Sequence, residues 1–145
     1  MIKGSGIPQV EGQILGIFRV SWWRILIGKI GGGTLSILAG LSLGREGPSI
    51  QLGAAAGEGV AKGMRRDETE TRYLITCGAS AGLAAAFNAP LAGMLFSMEE
   101  VHKNFSVSVL LSALASAVTA DVVSKLFFGM ESVFGSHELI RLPLQ

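Results

Sequence analysis

The sequence predicts an all-α membrane fold made of short, tilted and re-entrant helices, and three observations carry that prediction. Hydrophobic residues make up 49% of the 145 positions, charged residues only 16%, and mean hydropathy is +0.49. Soluble domains carry about 25% charged residues, whereas the charges here gather into short clusters with long neutral stretches between them. Glycine is abundant at 20 against 4 prolines. Small-xxx-small spacings recur at Gly12/Gly16, Gly28/Gly32, Gly53/Gly57, Gly59/Gly63 and Gly78/Gly82, the pattern that lets helix backbones approach closely in a membrane. Finally, the neutral runs are broken at Gly44-Arg45-Glu46-Gly47-Pro48, which sets two opposite charges in apolar sequence, and at Asn88-Ala89-Pro90.

Taken in order, the first helix is expected over 7–18. It follows Gly4-Ser5-Gly6-Ile7-Pro8, where Pro8 suits a first helical turn and Ser5 is either an N-cap or a hydroxyl facing an anion. Trp22 and Trp23, beside Arg24 and near Arg19, read as an interfacial belt at the start of a second helix over 22–43. That helix carries Lys29 as its one charge beyond the belt and is long enough to cross or nearly cross a bilayer. A third helix, 47–63, begins where Gly47 allows a tight turn and Pro48 lacks only an N–H that a helix start leaves unpaired. Glu46 then lies beside the free N–H groups and the positive end of the helix dipole, a place that also suits any anion taking its position. A structural Arg45–Glu46 ion pair at a membrane interface is the alternative reading of the same residues.

The cluster from Lys62 to Arg72 is a loop in water, and Asp67 or Thr69 can cap the following helix, 70–88. The residue before a proline is pushed out of helical geometry, so Asn88-Ala89-Pro90 separates that helix from a short one over 91–101. About 16 Å long at 1.5 Å per residue, this short helix cannot span a core of about 30 Å upright. Glu99 and Glu100 end it, and on composition alone they are the solvated end of a helix. A membrane helix over 105–128 comes next, and then a mixed tail, 129–145. Lys and Arg in the 62–72 loop mark it as cytoplasmic. Glu46 would then face the outer side and Glu99 and Glu100 the cytoplasm, which gives carboxylates at two depths, as a proton path through a membrane requires.

Other chemistries fit poorly. A net charge of +1 without a basic stripe argues against nucleic acid. Cys77 is the one cysteine, which rules out an internal disulfide. His102 and His137 have no second ligand at metal spacing, so neither a metal nor a cofactor is expected. The glycine-rich turns lack the lysine of a phosphate-binding loop and any preceding strand, which argues against a nucleotide site. Nor is there a signal peptide at the N-terminus, for want of an apolar core and a cleavage site. No enzymatic site is expected among these residues.

Three segments together resemble the CLC family of chloride channels and chloride/proton exchangers. Gly4-Ser5-Gly6-Ile7-Pro8 and Gly44-Arg45-Glu46-Gly47-Pro48 are similar to two of its anion-pathway signatures, and Gly82 to Gly93 followed by Glu99-Glu100 is similar to its next stretch. The resemblance fades after about Phe128. It implies one partial domain over 1–145, part of one half of an inverted-repeat transporter fold; the family's third anion signature, its pore tyrosine and its second half lie past Gln145. By resemblance, Ser5 donates its hydroxyl to a central chloride, with the N–H groups of Gly4 and Ser5 nearby. Those of Arg45, Glu46 and Gly47 help form an outer site. Glu46 is implied to be the gate, whose carboxylate competes with chloride and moves away when protonated, and Glu100 the inner proton-transfer residue found in exchangers. The function implied is chloride transport as part of a chloride/proton antiporter; a passive voltage-gated channel and a non-transporting truncated piece are the alternatives. The implied partners are chloride, protons, the lipid bilayer and a second copy in a homodimer, in a multi-pass protein of the plasma or inner membrane.

Overall fold

A computed structural model describes residues 7–15, 21–39, 46–102 and 106–129. They form α1 (Ile7–Ile14), α2 (Trp22–Leu38), α3 (Glu46–Gly63), α4 (Glu68–Phe87), α5 (Pro90–Phe96), a π-helical turn (Ser97–His102) and α6 (Val107–Phe128). No strand occurs among the described residues.

Local chemistry explains most of the ends. α3 closes with the Arg65 N–H bonded to the Lys62 carbonyl at 3.1 Å and the Arg66 N–H to that of Ala61 at 3.0 Å, while Arg65 takes φ 52°. These are the paired bonds of a Schellman ending, with arginine at the left-handed position that glycine usually fills. Asp67 then caps α4 by accepting the Glu70 N–H at 2.7 Å. Glu68 and Glu70 lie in the first turn, where the helix dipole favours them. α4 ends at Asn88, also left-handed at φ 52°, and α5 begins directly at Pro90.

The short helix differs from the expectation over 91–101. α5 keeps α-helical bonding only as far as Phe96, and the chain continues as the π-turn. Packing supplies the reason: Met98 is buried in one apolar cluster with Ala84 and Met94, and Val101 in another with Val10 and Ile14. In an α-helix two residues three apart point to nearly the same side. Under-winding the turn spreads them so that each reaches its own cluster, and Glu99 and Glu100 are left exposed.

α3 and α4 form an antiparallel hairpin in direct backbone contact. A Cβ built on Gly53 would lie 2.0 Å from the Gly78 carbonyl oxygen, and one on Gly78 2.1 Å from that of Gly53. Gly57 and Gly82 are as tight, at 2.2 Å from Leu74 O and 2.3 Å from Ser49 O. Two of the small-residue spacings therefore make one crossing. Gly59 instead receives the Trp22 ring, and Gly32 and Gly63 have nothing within 4 Å among the described residues, so within these the close approach expected of the Gly28/Gly32 spacing is not made at Gly32. Gly16 lies outside the described residues.

α6 packs on α4 through Val109, Ala113 and Ala117, and Ser116 Oγ donates to the Cys77 carbonyl at 3.0 Å. Its other face is apolar and exposed, including Leu111, Val122, Leu126 and Phe127. Val107–Phe127 is the one stretch among the described residues long and apolar enough to cross a membrane by itself. Hydroxyls within the helices mostly bond back to their own carbonyls, as Ser80 does to Thr76 and Ser112 to Ser108. This satisfies a polar group without a partner helix.

Candidate functional site

Glu46 is the first residue of α3, and its side chain is exposed, whereas Gly47 behind it is buried. The 18 residues of α3 align their peptide dipoles along roughly 27 Å, and the first N–H groups of such a helix have no partner within it. Donors of this kind suit an acidic side chain or a small anion.

Beside Glu46 lies a cavity of about 180 Å³ lined by Leu83 and Phe87 from the end of α4 and by Ala92, Gly93 and Phe96 from α5. Apart from the carboxyl group the side chains lining it are apolar. The αL turn at Asn88 and the helix start at Pro90 form this arrangement by folding α5 back across the last turns of α4. Gly93 allows the closeness, since a Cβ there would meet the Ala84 nitrogen at 2.8 Å. An apolar chamber receives an uncharged carboxyl far more readily than a carboxylate. The site thus offers Glu46 two environments that differ in polarity, the helix N–H groups and a chamber of aliphatic and aromatic carbon.

Glu100 sits on the π-turn, exposed with Glu99. It lies seven residues after Gly93 of the cavity wall, about 10 Å along a helix, so the two carboxylates flank one continuous segment. The π-turn also packs against α1 and α4. Gly4, Ser5 and Arg45 lie outside the described residues, as do Arg19 and His137. Trp23 is exposed, with the Arg24 guanidinium 5.8 Å from its ring centre, within reach of a cation–π contact. Among the described residues no three His, Cys, Asp or Glu side chains gather closely enough to hold a metal.

Two buried acids escape the sequence reading. Glu58 on α3 is 8% exposed and pairs with Lys62, with Nζ 2.5 Å from Oε1. Asp121 on α6 is 5% exposed and pairs with Lys125 at 2.6 Å. Both pairs have i, i+4 spacing, which is visible in sequence; that the acid of each pair is buried is not.

Comparison with known proteins agrees with this architecture. The chain is 42% identical over 133 residues to the H(+)/Cl(-) exchange transporter ClcA of Vibrio cholerae serotype O1, covering 90% of this chain and 28% of that protein. It is 40% identical over 144 residues to the ClcA of Cronobacter sakazakii, covering 97% of this chain and 31% of that one. Its fold superposes on the crystal structure of a slow cyanobacterial Cl-/H+ antiporter with a TM-score of 0.85 at 39% identity, over 99% of this chain and 34% of the other. The chain therefore spans about a third of the length of the relatives it matches. Helices packed through glycine, with the start of α3 beside an apolar chamber, make an all-α fold that matches the cyanobacterial antiporter's. Residues 1–145 match the voltage gated chloride channel family throughout, and the chain belongs to that family.

Proposed function

We propose that this chain forms part of the membrane domain of a chloride/proton antiporter. The observation that carries the reading is Glu46 at the start of α3, on the edge of an apolar chamber. As a carboxylate it occupies the helix N–H groups and excludes chloride. Once protonated it is accommodated among Leu83, Phe87 and Phe96, and an anion takes its place. Chloride held by N–H dipoles is compensated for its lost hydration without a full cation that would trap it. Backbone N–H groups at Arg45, Glu46 and Gly47 supply the outer site, and those of Gly4 and Ser5 with the Ser5 hydroxyl supply the central one. Glu100, on the segment that runs from the chamber wall, delivers the proton from the cytoplasmic side. Support comes from the exchange activity named for the Vibrio and Cronobacter relatives and from the antiporter with which the fold superposes.

The helices lie in a lipid bilayer of the plasma or inner membrane, with the 62–72 loop in the cytoplasm. The apolar outer face of α6 meets lipid and, in a homodimer, a second copy. Flux from liposomes containing the full-length protein tests the gate. With a chloride gradient and an external pH electrode, the wild type moves both ions and Glu46→Ala moves chloride without pH dependence. A variant with wild-type pH dependence and proton movement overturns the assignment.

A further inference from the structure

Two polar ties join α1 to α3 along one seam. Gln51 Nε2 donates to Gln9 Oε1 in the first turn of α1. One turn further on, Gln13 Nε2 donates to Glu58 Oε2 at 3.2 Å, while Glu58 Oε1 takes Lys62 Nζ at 2.5 Å. Positions 9 and 13 share a face of α1, and 51 and 58 share a face of α3. Gln51 and Glu58 are 3% and 8% exposed, and the same interface is otherwise filled by Val10, Ile14, Ile50 and Ala54. A carboxylate taken out of water is tolerated only with its oxygens paired, and breaking one partner is costly. Glu58 meets that requirement with one oxygen on its own helix and the other on α1. It can make both contacts only if α1 lies in one place along α3. Apolar packing alone, without directional bonds, would fix that place less sharply.

We propose that Glu58 is a positioning residue for anion binding: by clamping Gln13 it sets where α1 rides on α3. It thereby sets how the start of α1 at Ile7 stands relative to the start of α3 at Glu46. The Gln9–Gln51 tie is the second fixed point of the same register. This inference rests on reading those helix starts as an anion site. Lys62 is its support rather than its means, being more than half exposed at the side chain and on the same helix as its partner.

Chloride titration calorimetry on the purified full-length protein, with liposome flux alongside, tests the proposal. Glu58→Leu weakens chloride binding by roughly three- to tenfold, the net scale of one typical intramolecular hydrogen bond, and leaves the proton-to-chloride ratio of transport unchanged. Glu58→Gln, which can still accept from Gln13, binds chloride close to wild type; Lys62→Met lowers the melting temperature by leaving Glu58 Oε1 unpaired but, with the Gln13 contact kept, also binds chloride close to wild type. Should Glu58→Leu not fold, Gln13→Leu removes the same contact and keeps the Glu58–Lys62 pair; it must weaken chloride to the same extent. Wild-type chloride affinity in a folded Glu58→Leu or Gln13→Leu protein overturns the proposal, even if its melting temperature falls. Loss of proton coupling in Glu58→Gln overturns it as well, because Glu58 would then carry protons. If the wild-type protein itself neither binds nor moves chloride, the underlying functional reading fails, and that result is distinct from all the others.

Discussion

Asn88 shows how much one residue can decide about the site. Its left-handed backbone turns the chain from α4 into α5 and so brings Ala92, Gly93 and Phe96 against Leu83 and Phe87. Asparagine tolerates this geometry where most residues do not. Asn88→Ala is expected to lower stability by about 1 kcal/mol, and Asn88→Gly to be nearly neutral; thermal denaturation of the full-length protein separates the two. Sequence reading located this break through Pro90, because a proline restricts its predecessor whatever the fold. The helix start at Glu46 was legible for a similar reason, since Gly-Pro after a charge suits the first turn of a helix. Glu58 was not, because an i, i+4 acid–base pair looks the same on a solvated face as in an interface, and only the contact with Gln13 tells them apart.

Among the elements, the α3–α4 hairpin depends on four glycines whose backbones touch. Gly78→Ala places a methyl group 2.1 Å from the Gly53 carbonyl oxygen. No rotamer change relieves a clash between Cβ and backbone, so the helices must separate, at a cost of about 1–3 kcal/mol or more. Gly32→Ala on α2 meets nothing within 4 Å and should be neutral or stabilising by up to about 1 kcal/mol. Comparing the melting temperatures of the two variants checks both statements. The five small-residue spacings are indistinguishable in sequence. Spacing places residues on one side of a helix, but which side meets another backbone depends on neighbours far along the chain. The end of α5 was hidden for the same reason: nothing in Ser97-Met98-Glu99-Glu100 announces a π-turn, and it arises from the separate demands of two apolar clusters on Met98 and Val101.

Across the whole molecule, the two carboxylates proposed for proton movement lie on different elements, Glu46 at the start of α3 and Glu100 on the π-turn. Glu46 lines the chamber together with Ala92, Gly93 and Phe96 of α5, and Glu100 lies on the π-turn that continues that helix. Glu100→Gln in the full-length protein is expected to keep chloride flux and lose coupled proton flux in liposomes; unchanged coupling would remove Glu100 from the path. The all-α architecture was readable from composition and from the helix breaks. The lining of the chamber beside Glu46 was not, because Ala92 and Phe96 lie 46 and 50 positions after it in sequence and only tertiary packing sets them around one cavity.

The π-turn also makes the segment tolerant of a change in chain length. Bonds spanning five residues rather than four store one extra residue in a single turn without displacing the helix beyond it. Deleting Ser97, a buried residue whose hydroxyl has no partner among the described residues, would let the turn close into an ordinary α-helix with Val101 still on its cluster, while Met98, three residues before it, turns toward the same side and leaves the cluster of Ala84 and Met94. Deleting Ala81 from the middle of α4 would instead rotate every later residue by about 100° and carry Gly82 away from Ser49. The first deletion should yield folded, membrane-inserted protein and the second should not, a contrast that size-exclusion profiles of the two variants would reveal. Natural variation in length is thus expected to concentrate at Ser97–His102, where a residue can be gained or lost at the expense of one buried side chain rather than of the whole hairpin.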